Sequence, residues 1–311
     1  MQNEARCAIS PDDPLYPHML LDLPGEPPRL FVRGAAEVLS MPSIAVVGSR
    51  RATPYGLAVA ELAARLASEA GIAVVSGGAI GCDQAAGRSV VANGGRHIMV
   101  LGGGADVVYP KSSERLIQDA IEEGGAIVSL EPWGAPPRRY AFPKRNRIIA
   151  ALARSTIVCE AGMPSGTFST AETASDLGRE VLAVPGSMFS PEFRGTNYLI
   201  SIGATCVIDE ESLEVAISRI YETLRFSPGP VRSQQAQGTA GRIMDILVAQ
   251  PSRCEEVARH IAISEREALL LLSQLAVEGL VEQLYDGRFA ASKKALHGLT
   301  SFGTMKYGTD D

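Results

Sequence analysis

Short apolar runs alternate with helical patterns along most of the chain, and this alternation limits the folds that the chain can adopt. The first run is IAVVG at 44–48, and the seventh is TCVID at 205–209. The runs are almost continuously apolar, as in strands that are buried on both faces, and helical crossovers join parallel strands. The pattern therefore predicts an α/β fold over residues 44–226, built on a parallel sheet that is covered on both faces.

The segments outside this alternation differ in composition. Residues 1–43 are rich in proline, and we expect an irregular lead-in segment that packs on the next domain. Residues 227–238 are predicted to form a linker. Residues 239–296 contain three helical patterns and an Asp-Gly turn, which predicts a small winged-helix domain. Residues 297–311 are predicted to be a flexible tail.

Charge and composition limit the function classes. The net charge of −6 argues against a histone-like protein, but it permits a local basic site because salt screens charges beyond about 10 Å. The five cysteines form no CxxC pair and the four histidines are scattered, so we expect no metal site. No apolar run reaches ~18 residues, and the first residues do not resemble a signal peptide. We therefore expect a cytoplasmic protein that does not enter a membrane.

Glycine and serine follow four of the predicted strands. Because ligands of open parallel sheets bind beyond the carboxyl ends of the strands, and glycine lets backbone N–H groups approach a phosphate, we predict a phosphate-binding edge. The alternative is that β-to-α turns simply need glycine. Neither GxxxxGK[ST] nor GxGxxG occurs, so ATP or NAD is not expected as a turnover cofactor. The strand ends are Gly48-Ser49-Arg50-Arg51, Ser76-Gly77-Gly78, Gly102-Gly103-Gly104 and Gly162 to Thr167.

A basic segment follows the fourth predicted strand. Between Pro132 and Cys159 there are six basic residues and no acidic one, so this span carries a charge of +6. Trp133, Tyr140 and Phe142 lie among the cations, and aromatic rings can stack unpaired bases while cations contact phosphates. We favour a nucleic-acid site over a solvated basic helix start, and we leave open whether Arg147 binds or is structural. The six basic residues are Arg138, Arg139, Lys144, Arg145, Arg147 and Arg154.

Acid–base groups near this edge are few. Glu160, Glu172 and Asp83 are the nearest acids, and Asp83 is expected to cap a helix rather than to act as a base. The serines of the strand ends have no histidine near them in the motifs. We therefore predict a binding protein rather than an enzyme.

Several motifs of the chain resemble the DprA/Smf family in order and spacing. The similarity covers about residues 14–225, and residues 239–290 are similar to the family's C-terminal domain. The resemblance implies an extended Rossmann-like fold that binds single-stranded DNA, a homodimer, delivery of the DNA to the recombinase RecA during natural transformation, and no catalysis. The motifs are IAVVGSRRATPYG (44–56), SGGAIGCDQAA (76–86), FPKRNRIIAALA (142–153), SGTFSTAETASDLGREVLAVPGS (165–187) and GTNYLISIGA (195–204).

The resemblance also implies roles for individual residues. Arg50 and Lys144 would contact phosphate, and Phe142 would pack against a base. The backbone at Gly48-Ser49 and Gly166-Thr167 would complete the pocket. The whole candidate DNA-binding set is Gly48, Ser49, Arg50, Arg51, Ser76, Gly77, Gly78, Arg138, Arg139, Phe142, Lys144, Arg145, Asn146, Arg147, Gly166 and Thr167.

The chain departs from the family pattern at three points. Ile80 replaces the usual arginine of the family's ARGID motif, and Gly87 replaces the histidine that follows it. The edge therefore lacks one cation. The N-terminal helical domain of many members is expected to be absent.

Two other function classes remain as alternatives. GMPSGTFSTAE at 162–172 is similar to the PGGxGTxxE motif of phosphoribohydrolases, although its acid, Glu172, comes two residues late. A nucleotide sensor whose winged helix binds duplex DNA is the other alternative. The helix SEREALLLLSQLAVEGL has Arg266 as its only cation, which favours a protein contact over groove binding.

Overall fold

A nine-stranded sheet organises the larger part of the protein. The structure is a computed structural model that describes residues 5–223 and 239–296. The predicted linker at 227–238 and the predicted tail at 297–311 lie outside the described residues. The strands of the sheet are β1 (Arg6–Ile9), β2 (Leu30–Gly34), β3 (Ser43–Val47), β4 (Ala73–Ser76), β5 (His97–Leu101), β6 (Ala126–Ser129), β7 (Ser155–Val158), β8 (Glu180–Ala183) and β9 (Thr205–Cys206).

The strand order is β1-β2-β6-β5-β4-β3-β7-β8-β9, and strands β3 to β9 are parallel. The seven predicted strands are therefore confirmed, although the last is only two residues long. From β3 the chain first builds outward through β4, β5 and β6, and then returns to place β7 on the other side of β3. This reversal creates a crevice between the carboxyl ends of β3 and β7, which is where open parallel sheets bind ligands.

Helices cover both faces of the sheet, as the doubly buried strands require. Ile44 and Val46 of β3 pack into one hydrophobic core, whereas Ala45 and Val47 pack into the other. The alternation follows from the two-residue period of a strand. The helices are α1 (Pro54–Glu69), α2 (Cys82–Ala92), α3 (Glu114–Glu122), α4 (Ala141–Leu152), α5 (Thr167–Asp176), α6 (Arg194–Ser201) and α7 (Glu210–Tyr221).

The lead-in segment belongs to the sheet, which corrects the expectation of an irregular segment packed on it. β2 pairs antiparallel with β6, and β1 pairs antiparallel with β2. Leu30, Val32 and Gly34 are buried, whereas the residues between them are partly exposed, as expected for a strand. Proline is absent from both strands, and Pro27 and Pro28 stand just before β2.

Residues 239–296 form three helices and a two-stranded antiparallel hairpin, in the order that the sequence predicted. Asp286 and Gly287 lie between the two strands, and Gly287 has a φ of +84°. The assignment of this unit as a winged helix stays a prediction. Its elements are α8 (Thr239–Ala249), α9 (Cys254–Ile261), α10 (Glu265–Val277), β10 (Val281–Gln283) and β11 (Phe289–Ala291).

Candidate nucleic-acid interface at the carboxyl edge of the sheet

The loop after β3 presents two arginines to solvent. Both Arg50 and Arg51 are exposed. The N–H of Ser49 donates to the carbonyl oxygen of Glu160, at 2.8 Å, which fixes the start of the loop to the end of β7. Thr53 ends the loop as the N-cap of α1 and accepts a hydrogen bond from the N–H of Gly56 at 3.3 Å. The loop is therefore anchored at both ends, with its two cations free between the anchors.

Glu160 is the buried carboxylate that anchors this loop. Thr53 donates both its N–H and its hydroxyl to Oε2 of Glu160, at 3.0 and 2.5 Å. A Cβ on Gly56 would lie 2.5 Å from the same oxygen, so the carboxylate needs glycine at that position. Burial raises the pKa of Glu160 to about 7, against the opposing effect of the Thr53 hydrogen bonds.

The first residues of the loop after β4, Gly77 and Gly78, are covered by protein instead of solvent. Arg145 is buried, and its guanidinium donates to the carbonyl oxygen of Gly77 at 3.2 Å. Asp83 accepts hydrogen bonds from the N–H groups of Gly77 and Ala79, at 3.0 and 3.4 Å. Burial raises the pKa of Asp83, and the nearby charges of Arg145 and Arg50 oppose this.

These contacts change the interpretation of Ser76, Gly77 and Gly78, which were predicted to contact phosphate. The hydroxyl of Ser76 lies 2.9 Å from Nε2 of the buried His97. The N–H and carbonyl groups of Gly77 already bond to Asp83 and Arg145, and a Cβ on Gly78 would lie 2.6 Å from the sulfur of Met99. The groups of this loop that were expected to contact a phosphate therefore contact other residues of the protein.

The three glycines after β5 also serve internal packing. A Cβ on Gly102 would lie 3.0 Å from the Phe142 ring, and one on Gly103 would lie 3.0 Å from the backbone of residues 135 and 137. A Cβ on Gly104 would lie 2.7 Å from the carbonyl oxygen of Pro132. Glycine here lets the segment after β6 lie against the end of β5.

The start of α5 differs, because it is open. No heavy atom would lie within 4 Å of a Cβ on Gly166, the residue before the helix. The Thr167 hydroxyl donates to the carbonyl oxygen of Gly48 at 3.2 Å, which joins this helix start to the loop after β3. The Asn146 amide donates to the carbonyl oxygen of Gly166 at 3.2 Å. The first turn contains no acidic residue, so the partial positive charge of the helix start faces the crevice unopposed.

Phe142 connects the loops to α4. The guanidinium carbons of Arg50 and Arg145 lie 5.6 and 5.9 Å from the centre of its ring. The ring of Tyr109, in the segment after β5, is centred 6.0 Å away. On the same helix start, the ammonium of Lys144 lies 5.3 Å from the ring of Tyr140. Arg50 and Lys144 thus lie on the same edge of the sheet, each beside an aromatic ring.

Six candidate cations are exposed at this edge. None of them forms an ion pair within residues 5–223 and 239–296. Unpaired cations beside a helix start produce a positive local potential on a protein whose net charge is −6. The six are Arg50, Arg51, Arg138, Arg139, Lys144 and Arg147.

Other residues of the basic segment lie elsewhere or are covered. Arg154 precedes β7, at the opposite edge of the sheet, and lies 3.7 Å from Glu222. Trp133 packs edge-to-face against Phe31, with ring centres 5.6 Å apart. Glu172, the acid of the phosphoribohydrolase-like motif, is exposed on α5. Tyr109 was missed by the sequence analysis, although its place after a predicted strand would have put it on this edge.

Two features are absent from the residues that the structure describes. Within residues 5–223 and 239–296, no three His, Cys, Asp or Glu side chains are grouped so that they could hold a metal ion. The same residues contain no helix that is both long and apolar enough to cross a membrane.

Comparisons with known proteins are consistent with one another. The family described as DNA recombination-mediator protein A matches residues 7–218. Protein Smf of Escherichia coli is 38% identical over 218 residues, which are 70% of this chain and 56% of that protein. The chain therefore spans a little over half the length of that relative. DNA processing protein DprA of Streptococcus pneumoniae is 41% identical over 63% of this chain and 68% of its own length.

Two solved structures share the fold. The structure of DNA processing protein A from S. pneumoniae matches with a TM-score of 0.62 and 37% identity, over 68% of this chain and 74% of that one. The second is DNA processing protein A from Helicobacter pylori, whose structure was described together with its single-stranded DNA binding mode. It matches with a TM-score of 0.62 and 26% identity, over 70% of this chain and 96% of that one. The Rossmann-like fold is confirmed.

Proposed function

Because the chain belongs to the DprA/Smf family of DNA recombination-mediator proteins, we propose that it is a DNA-processing protein that binds single-stranded DNA at the carboxyl edge of its sheet. The observation that carries the proposal is the group of exposed, unpaired cations at the carboxyl edge of the sheet, in the loop after β3 and in the segment after β6. Arg50 lies over the ring of Phe142 in α4. Lys144 lies two residues after Phe142 in the same helix.

The exposed cations supply the phosphate contacts. Arg50 and Arg51 extend from an anchored loop, so little backbone entropy of the loop is lost when a strand binds. Lys144 and Arg147 extend from α4, and Arg138 and Arg139 precede it. The open start of α5 at Gly166 and Thr167 offers a partial positive charge beside them.

The buried and partly buried members of the candidate set, together with Asp83, hold the site in place. Arg145 and Asp83 fix the loop after β4, and the Asn146 amide holds the carbonyl of Gly166. Gly48 and Ser49 connect the loop after β3 to α5 and to β7. Ser76, Gly77 and Gly78 belong to the loop after β4 and contact His97, Asp83, Arg145 and Met99 inside the protein. Removing any of these residues acts on DNA binding through the fold.

Titration of labelled single-stranded and double-stranded oligonucleotides across a range of salt concentrations tests the proposal. We expect tighter binding of the single strand, because the aromatic rings at this edge can stack only on unpaired bases. Arg50→Ala and Lys144→Ala should each weaken binding and lower the salt slope by about 0.7, the value for one lost phosphate contact on a single strand. Glu172→Ala, a change at an exposed acid of α5, is the control. Equal affinity for both forms of DNA, or an unchanged salt slope, would contradict the proposal.

We further propose that the protein acts as a homodimer that helps to load RecA onto the bound strand during natural transformation. The resemblance over residues 14–225 supports this, and it also favours binding without catalysis. RecA filament formation on a single strand should be faster with the protein than without it, and Arg50→Ala should remove the effect. Light scattering should give twice the mass of one chain. If RecA assembly is unchanged while single-strand binding persists, the loading role is wrong and the binding role stands.

A further inference from the structure

The surroundings of Phe142 leave little of its ring for a ligand. The guanidinium groups of Arg50 and Arg145 both lie within 6 Å of the ring centre. Gly102 closes against one edge of the ring, since a Cβ on it would lie 3.0 Å away. The ring is itself partly buried. These contacts make Phe142 a support for the Arg50 guanidinium, because a cation is attracted to an aromatic face.

Tyr109 has the opposite surroundings. Its side chain is 51% exposed, and its ring is centred 6.0 Å from Phe142 at a tilt of 52°. Its hydroxyl forms no hydrogen bond within residues 5–223 and 239–296. One side of the ring therefore rests against Phe142, the ring that also contacts Arg50, while about half of the side chain faces solvent.

We propose that Tyr109 stacks an unpaired nucleobase while Phe142 holds Arg50 for the neighbouring phosphate. This inference rests on the proposed function and adds a base-binding residue to it. A half-exposed aromatic ring, backed by a second ring that also contacts a cation, is suited to stacking an unpaired base next to a bound phosphate. Stacking uses the face of the base, so Tyr109 should accept purines and pyrimidines alike.

Base stacking by Tyr109 and phosphate binding by Arg50 are separate contacts, and an abasic strand can test them separately. An oligonucleotide of tetrahydrofuran nucleotides keeps every phosphate and lacks every base. The wild-type protein should bind the intact strand more tightly than the abasic strand of equal length at the same salt concentration. Tyr109→Ala should lose roughly tenfold in affinity for the intact strand and little for the abasic strand.

Two variants provide matched controls. Tyr109→Phe keeps the ring and removes only a hydroxyl that forms no internal hydrogen bond, so it should bind both strands as the wild type does. Phe142→Leu should lose affinity for the abasic strand as well as for the intact strand, because it disturbs Arg50 and therefore a phosphate contact. Thermal unfolding of each variant shows that it is folded, and Tyr109 is exposed enough for its replacement to leave the melting temperature almost unchanged.

The outcomes distinguish the inference from the function on which it rests. If Tyr109→Ala binds the intact strand like the wild type, or loses equally on both strands, the stacking role is wrong. The same holds if the wild type binds both strands equally well, although single-strand binding would then stand. If the wild type binds neither strand while it is folded, the proposed function itself fails.

Discussion

The loops after β3 and β4 are neighbours with similar sequences and opposite surroundings. Each follows a buried strand, begins with glycine or serine, and leads into a helix. Each is held by one buried carboxylate, Glu160 for the first and Asp83 for the second. The first presents Arg50 to solvent, whereas the second lies beneath the buried guanidinium of Arg145. A glycine-rich strand end can thus either present a cation or accept one from its own protein.

The two arginines provide the largest test of this difference. Arg145→Met removes the buried hydrogen bond to the Gly77 carbonyl and the charge that most opposes the raised pKa of the buried Asp83, so we expect a loss of about 3–5 kcal/mol in the free energy of unfolding. Arg50→Met, the matched change at an exposed position, should alter it by about 0.5 kcal/mol or less and should weaken DNA binding instead. Urea unfolding of the two variants measures both. Similar stabilities would mean that the two loops do not differ as described.

Gly81 joins the two loops and provides the next test. Its φ is +94°, and a Cβ on it would overlap the carbonyl oxygen of Ser49. We expect Gly81→Ala to lose about 2–3 kcal/mol of unfolding free energy, since it combines backbone strain with displacement of the Arg50 loop. It should also weaken single-strand binding.

Gly71→Ala is the control for this change. Gly71 also has a positive φ, +73°, but nothing lies within 4 Å of the Cβ position. It should lose about 1 kcal/mol from backbone strain alone and bind DNA normally. Equal effects of the two changes would show that the contact between the loops is unimportant.

The fold could be predicted from periodicity, whereas the role of each glycine could not. Seven apolar runs separated by helical patterns are enough to indicate a doubly covered parallel sheet and to bring its strand ends to one edge. Whether a strand-end glycine faces a phosphate or a side chain depends on which residue the finished fold places opposite it. Nothing near Gly77 in the sequence indicates Arg145, which lies 68 residues further along the chain.

The burial of Arg145 did leave a signal in the sequence. The buried residues of α4 form a helical stripe, and Arg145 lies in it, four residues after Ala141 and three before Ile148. Arg147, which was left open between a structural and a binding role, lies outside the stripe and is exposed. The expectation that Arg145 contacts DNA came from counting cations without assigning them to helix faces.

The two carboxylates differ in their partners, and their amide variants provide the last test. Glu160 has a pKa raised to about 7 from an ordinary 4.5, mainly by burial, with Glu192 raising it further and Arg288 opposing this. The folded protein therefore retains a proton that the unfolded chain releases, and stability is lost as the pH rises from 4.5 to 7. The shift corresponds to about 3 kcal/mol. His97, whose pKa burial lowers to about 4 from 6.5, acts in the opposite direction, because its stabilisation is lost as the pH falls from 6.5 to 4.

Glu160→Gln should therefore gain stability relative to the wild type, by up to about 3 kcal/mol, as the pH rises from 4.5 to 7. The free energy of unfolding of this variant should itself increase with pH in this range, because the effect of His97 is no longer opposed by Glu160. Asp83→Asn should gain less with rising pH than Glu160→Gln does, because the charges of Arg145 and Arg50 oppose the burial that raises the pKa of Asp83. Urea unfolding of the three proteins at four or five pH values decides between these expectations. Parallel curves for the wild type and Glu160→Gln would show that Glu160 is already ionised well below pH 7. The loop after β3 would then be anchored by a charged carboxylate.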